Sequence, residues 1–244
     1  MPTYRAEAIV LRTHKLGEAD RIITLLTRER GKVRAVAKGV RRTRSRFGAR
    51  LEPFSRVELL MHEGKNLDII SQAESLTNFG QDMALNYPMW TAGQTMLETA
   101  DRLSTEESTS SDGQYLLLLG ALRTLVANEH EPAAVLDSYL LRAMSLAGYE
   151  PTLDSCVLCG EMGRQPFFHV GSGGAICVND RVPGSVAPKN DSWELLEALL
   201  RGNWTVVDGA HSSCRAEVSG IVSAFVQWHI ERGLRSLPLV DRKQ

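Results

Sequence analysis

The sequence predicts an α+β multidomain protein: an N-terminal five-stranded OB-fold barrel, a helical domain in the central and C-terminal parts, and an inserted zinc-ribbon-like element. Three observations carry this prediction. The first 80 residues hold short β-branched runs with partial alternation, and from about residue 81 apolar residues recur three or four apart. Further on, Cys156-Val-Leu-Cys159 is followed after 17 residues by Cys177-Val-Asn-Asp180. At 244 residues and 43% apolar composition the chain can bury a core in each of several small domains. We divide it at 1–80, 81–150, 151–188 and 189–244, the last segment completing the helical domain.

Five strands are expected, at 5–13 (RAEAIVLRT), 21–27 (RIITLLT), 32–38 (KVRAVAK), 55–61 (SRVELLM) and 66–72 (NLDIISQ). The connections LGEAD, RERG and HEGK are hairpin-sized, whereas the link between the third and fourth runs is long. Five short strands suit the five-stranded OB-fold, a common nucleic-acid platform, although the count alone also admits an SH3-like barrel. Helices are expected at 81–103, 113–128, 133–149, 191–202 and 215–233, with Gly148 as a left-handed stop and Pro151 beyond it. STEESTSSDG, residues 104–113, reads as a solvated connection. Val218, Ile221, Val222, Phe225 and Trp228 form one face of the last helix, and Met83, Met89, Met96 and Trp90 recur in the first. The methionines read as core packing, with an apolar pocket for a partner peptide as the sharper alternative.

A net charge of -1 conceals an asymmetry: residues 1–56 carry 15 Lys and Arg against 5 Asp and Glu, a balance of +10, and the remainder 13 against 24, a balance of -11. A polyanion meeting the N-terminal part would match this split. The densest stretch, AKGVRRTRSRFGAR (37–50), holds Lys38, Arg41, Arg42, Arg44, Arg46 and Arg50 without a carboxylate. Arg12 and Lys15 near the first turn and Lys32 and Arg34 on the third strand extend it, so the cations continue into ordered strands. A solvated loop would not show that continuity, and we read the ten as a phosphate-binding face. Only Tyr4, Phe47 and Phe54 offer rings nearby, so phosphate contacts rather than base readout should dominate. No apolar run approaches the roughly 20 residues that cross a bilayer, and the start MPTYRAEAIV lacks the features of a secretion signal. A cytoplasmic protein is expected.

The two knuckles have zinc-ribbon spacing, because two short turns joined by a hairpin can present four ligands tetrahedrally. Cys156, Cys159 and Cys177 are the first three, and Asp180, His169, His211 or Cys214 completes the set. Free thiols beside a hairpin are the rival reading. A hydrolytic or deaminase site would need a general base, typically H-x-E ahead of C-x-x-C, and none occurs. The glycines of HVGSGGAIC (169–177) read as a tight hairpin turn, and the common nucleotide-hydrolysis, esterase and protease motifs are missing.

Three stretches, GEADRIITLLTRERGKVRAVAKGVRRTRSRFGARLEPFS (17–55), GYEPTLDSCVLCG (148–160) and HIERGLRSLPLV (229–240), resemble the RecO family of bacterial recombination mediators. The resemblance implies an OB-fold, a helical domain and an inserted zinc element. It also implies a non-catalytic, nucleoid-associated protein that binds single- and double-stranded DNA and anneals complementary strands. Its implied partners are RecR, the C-terminal tail of the single-strand-binding protein SSB and, through loading, RecA. We expect the SSB tail to dock near helices 83–103 or 215–233. One departure stands out: members with a full finger carry a fourth cysteine where this chain has Asp180. An RNA-binding OB and zinc-ribbon factor of translation or transcription is the alternative, and a zinc hydrolase or deaminase is a third hypothesis that the missing base opposes.

Overall fold

A computed structural model describes residues 2–45, 47–104, 112–230 and 233–240. Strands β1 (Thr3–Leu16), β2 (Asp20–Thr27), β3 (Gly31–Ala37), β4 (Ser55–His62) and β5 (Asp68–Asn78) close a barrel in the order β1-β2-β3-β5-β4. β1 is longer than its alternating run because it serves two neighbours. Its first half pairs with β4 and its second half with β2, and a bulge between Val10 and Arg12 adjusts the register. β3 meets β5 in parallel and every other pairing is antiparallel, the arrangement of the OB-fold. β5 likewise outruns its expected end because all of β4 pairs along it.

Alternation fills the barrel. Ala8 and Val10, Ile23 and Leu25, Ala35, Val57, Leu59 and Ile70 point inward, and the small alanines leave room for the larger chains. The link at 38–54 adds Phe47 and Leu51 to this core, each 1% exposed, so the long basic connection is pinned to the barrel by apolar side chains. At its end Phe54 takes a left-handed conformation (φ 71°) while its N–H donates to the Val10 carbonyl at 3.0 Å. The Phe54 ring lies 5.0 Å from that of Trp90 and against Gly93, where a Cβ would come within 2.9 Å of Phe54 Cε1.

Two compact units divide the chain, Met1–Ala127 and Asn128–Gln244. In the first, α1 (Phe79–Met83), α2 (Tyr87–Leu103) and α3 (Asp112–Ala127) follow the barrel. The single helix expected over 81–103 is therefore two. Pro88 suits the first turn of a helix and not its interior, and Asn86 caps α2 by accepting from Met89 N at 3.1 Å. α2 packs on the outside of β1 and β2, where Ile9 and Leu26 face each other across the strands fully buried. Met83, Met89 and Met96 are buried, which is the core reading.

The second unit packs α4 (Pro132–Leu146), α5 (Asn190–Arg201) and α7 (Ser212–His229) together, with the short α6 (Trp204–Gly209) between the last two. α6 was unexpected because six residues carry no readable period; it follows Gly202, a left-handed cap at φ 71°. A hairpin of β6 (Phe167–His169) and β7 (Gly174–Ile176) is inserted between α4 and α5, its glycine-rich link forming the expected turn. Gly174 has no alternative, since a Cβ there would meet the Thr152 carbonyl at 2.3 Å. Phe168 ties the hairpin to the helices through Trp193 and Phe225. Trp228, read as part of the inward face of α7, is instead 68% exposed: it ends the helix over the hairpin apex, 3.1 Å from where a Gly171 Cβ would be. Residues 231–232, in the expected last turn of that helix, and 105–111, in the expected connection, lie outside the described residues.

Candidate nucleic-acid interface and metal centre

Strand pairing lays Arg12, Thr24 and Arg34 side by side across the outer surface of β1, β2 and β3. The three do not share a fate. Arg12 Nε lies 3.1 Å and Lys32 Nζ 3.6 Å from the Asp101 carboxylate of α2, and Lys32 also donates to the Asp101 carbonyl at 2.8 Å. Both cations thus clasp the helix to the barrel. Other cations of the basic half are neutralised by Glu58, Glu52, Asp112, Glu63 and Glu7, which pair with Arg5, Arg21, Arg28, Arg30 and Arg56.

Lys15, Arg34, Lys38, Arg42 and Arg44 are different: each is exposed and, among the described residues, none forms an ion pair. Arg41 is exposed as well, but its Nη1 donates to the carbonyls of Gly17 at 3.2 Å and Glu18 at 2.8 Å. Arg50 Nη1 sits 3.5 Å from the Phe47 carbonyl. Arg46 lies outside the described residues. A count of charges along the sequence could not separate these classes, because the neutralising carboxylates come from distant segments.

None of the three candidate rings is open for stacking. Phe47 and Phe54 are buried, and Tyr4 is half-buried beneath the Arg30 guanidinium, 3.8 Å from its centroid. Tyr4 donates its O–H to Asp68; burial, reinforced by that carboxylate, pushes its pKa up.

In the second unit, Cys156, Cys159, Cys177 and Asp180 offer ligand atoms that all lie within 4.8 Å of one another. The first knuckle is shaped by Gly160, whose N–H donates to the Cys156 carbonyl at 2.8 Å from a left-handed conformation (φ 78°), and the second follows β7 directly. Cys159 and Cys177 sulfurs are 3.8 Å apart, and Asp180 Oδ2 is 3.4 Å from the Cys156 sulfur and 3.3 Å from that of Cys177. Around a tetrahedral zinc, thiolates at roughly 2.3 Å and a carboxylate oxygen at roughly 2.0 Å would be separated by about 3.8 Å (S to S) and about 3.5 Å (S to O). The residues fit such an ion. His169 is engaged with Ser172, and Cys214 sits beside Ser192, so neither joins the cluster; His211 is exposed at the start of α7.

Proton sharing marks the same set. Burial opposes ionisation of Cys156, but backbone N–H groups of Cys159, Cys177 and Leu158 outweigh it and lower its pKa. Asp180, as acceptor, is the main cause that pushes the Cys159 thiol up to about 12, and burial with Asp180 raises Cys177. Hydrogen bonds from Cys159, Cys177 and Cys156 in turn hold the Asp180 carboxyl below its ordinary value. A divalent cation would take the place of those shared protons.

Together these features define a modular protein with an OB-fold barrel, an exposed basic loop, and a helical unit carrying a cluster of three cysteines and an aspartate that could hold a metal. The chain belongs to the RecO family: residues 1–79 match the family described as Recombination protein O N terminal and residues 85–238 match Recombination protein O C terminal. It is 57% identical over 242 residues to the DNA repair protein RecO of Nocardioides sp., covering 98% of this chain and 99% of that protein. Identity to the DNA repair protein RecO of Streptomyces coelicolor is 52% over 248 residues, 99% of this chain and 100% of the relative. For that of Thermobifida fusca it is 51% over 242 residues, with 99% and 100% covered. Membership places the chain in DNA repair and recombination.

Proposed function

We propose that the protein is a non-catalytic recombination mediator that holds single- and double-stranded DNA by its phosphates on the barrel's basic face and lets complementary strands anneal. The observation that carries this reading is the set of exposed cations, Lys15, Arg34, Lys38, Arg42 and Arg44, that have no carboxylate partner among the described residues, on a barrel where Phe47, Phe54 and Tyr4 are covered. Such a surface neutralises backbone charge and leaves base edges free to pair, so annealing needs screening of strand repulsion and no active site. Arg41, Arg46 and Arg50 belong to the same stretch, whereas Arg12 and Lys32 contribute mainly through the position of α2. The barrel segment 1–80 is the DNA-binding domain in this reading; of the helical segments 81–150 and 189–244, α1 to α3 belong to the barrel's compact unit and α4 to α7 to the second, and 151–188 is the metal-bearing insertion.

Zinc is the ion we assign to Cys156, Cys159, Cys177 and Asp180, because three thiolates and a carboxylate at tetrahedral spacing suit it. Its role is structural, since among the described residues the cluster supplies all four positions. RecR is the stable partner, and the SSB tail and RecA connect the protein to coated DNA. For the SSB tail, α7 is the favoured element: Leu195, Leu199, Val207 and Val218 line a slot beside it that also holds Glu131 and Asp137, and Arg215 at its edge is paired with Glu131, so a terminal carboxylate would have to displace Glu131 from that guanidinium. A cytoplasmic, nucleoid-associated location accords with these partners, and no described helix is long and apolar enough to cross a membrane.

The test is an annealing assay with complementary oligonucleotides coated by SSB, run beside binding to matched DNA and RNA strands. Faster annealing and binding to DNA are expected. Loss of both removes the proposal, and a preference for RNA replaces it with a role in translation or transcription.

A further inference from the structure

Two segments far apart in sequence meet at the base of the basic loop. Gly39 N donates to Asp20 Oδ1 at 2.7 Å, Arg41 N donates to the Ala19 carbonyl at 2.9 Å, and Arg41 Nη1 reaches the carbonyls of Gly17 and Glu18. All four bonds join the turn between β1 and β2, or the first residue of β2, to the first residues after β3. Gly39 itself is left-handed (φ 69°), a conformation that turns the chain sharply toward that contact. Glu18, in the turn itself, is exposed and lends only its carbonyl, so the neighbouring carboxylates Glu18 and Asp20 have different tasks.

We infer that Asp20 and Arg41 are positioning residues: they clip the basic loop to the β1–β2 turn and so fix where Lys38, Arg42 and Arg44 present their charges to phosphate. This rests on the basic-face reading above and changes the role of one of its members. Arg41 acts through the loop that it holds, with its guanidinium spent on main-chain carbonyls. Asp20, an anion beside a polyanion's binding site, strengthens binding because its carboxylate orders three cations.

The sign of the Asp20 effect makes this testable. Removing a carboxylate near bound DNA should tighten binding through charge alone. The clip requires the opposite. Binding of a labelled oligo-dT to the full chain is measured by fluorescence anisotropy at low salt for Asp20→Ala, Glu18→Ala, Arg41→Ala and the parent. Asp20→Ala and Arg41→Ala should each weaken binding, on the order of tenfold, while Glu18→Ala leaves it unchanged or tighter. Asp20→Asn, which keeps an acceptor for Gly39 N, should restore affinity. In a Lys38→Ala, Arg42→Ala, Arg44→Ala background neither Asp20→Ala nor Arg41→Ala should matter further. Amide exchange at Gly39 and Arg41 in DNA-free protein, with thermal unfolding as a check on the fold, should quicken in Asp20→Ala. The inference is overturned if Asp20→Ala tightens binding as Glu18→Ala does, if amide protection does not change, or if Arg41→Ala costs as much in the triple background as in the parent. A triple variant that binds like the parent instead overturns the basic-face reading, and with it the positioning role, while amide exchange still reports whether the clip exists.

Discussion

The basic loop at 38–54 and the cysteine knuckles at 156–180 are both irregular segments, yet they are ordered by opposite means. The loop inserts Phe47 and Leu51 into a core that the five strands already provide, while Lys38, Arg41, Arg42, Arg44 and Arg50 are exposed. The knuckles have a minute core of their own, Cys156, Ile176 and Cys177 with Val157, Phe167 and Val182 against them, and two of those residues belong to the cluster that could hold a metal. On the proposed function, binding and folding are therefore separable in the first region and merged in the second. Removing charges from the loop should then leave it folded, whereas removing a member of the cysteine cluster should unfold the knuckles.

The sharpest way to break that contrast is to remove the metal. A chelator, or Cys177→Ser, should release one zinc ion and unfold residues 151–188 with the barrel intact, because a structural site of this kind holds on the order of 10 kcal/mol of apparent binding energy. Metal content with residue-resolved NMR checks it, and a folded, metal-free knuckle would erase the difference between the regions. Next in size, Phe47→Ala should destabilise the first unit by about 3–5 kcal/mol in urea unfolding, since it empties the plug beneath the loop. An exposed-loop cost near zero would mean that the loop is not anchored as described.

Acid should separate the regions further. Protons compete with metal at three thiolates, so zinc release should begin as pH falls below neutrality and be complete at low pH. The barrel answers at lower pH through Glu7, whose burial opposes ionisation but whose hydrogen bonds from Tyr115 and Arg56 carry its pKa below the ordinary 4.5. Its stabilisation is complete above that value and is lost as pH falls through the lower, folded one. Glu7→Gln should accordingly flatten the acid limb of barrel unfolding while leaving the pH of zinc release unchanged. The smallest stability effect belongs to the loop's charges: Arg42→Ala and Arg44→Ala should each shift stability by no more than about 0.5 kcal/mol. Each should also flatten the log-affinity against log-salt plot for single strands by about 0.7, similarly for unrelated sequences. A large loss of stability with an unchanged slope would reverse the assignment of tasks.

Local pattern alone determined much of this protein. Alternating runs located five strands, the change of period located α2 to α5 and α7, and the C-x-x-[CD] spacing named the three cysteines of the cluster that could hold a metal, with Asp180 among the candidates for its fourth member. These signals are legible because side-chain period and ligand spacing are properties of a few neighbouring residues. What needed the tertiary structure were relations between distant segments. Closure through the parallel β3–β5 pairing and the burial of Phe47 and Phe54 depend on which strand ends come together. The choice of Asp180 over His169, His211 and Cys214 depends on where the hairpin sets its ends. So does the sorting of the cations: Asp101 reaches Arg12 and Lys32 from a helix at least 69 residues away in sequence, and Asp20 meets Gly39 across two strands. A charge is written in the sequence, but whether it is spent on a neighbour or left for a ligand is decided only when the chain folds back on itself.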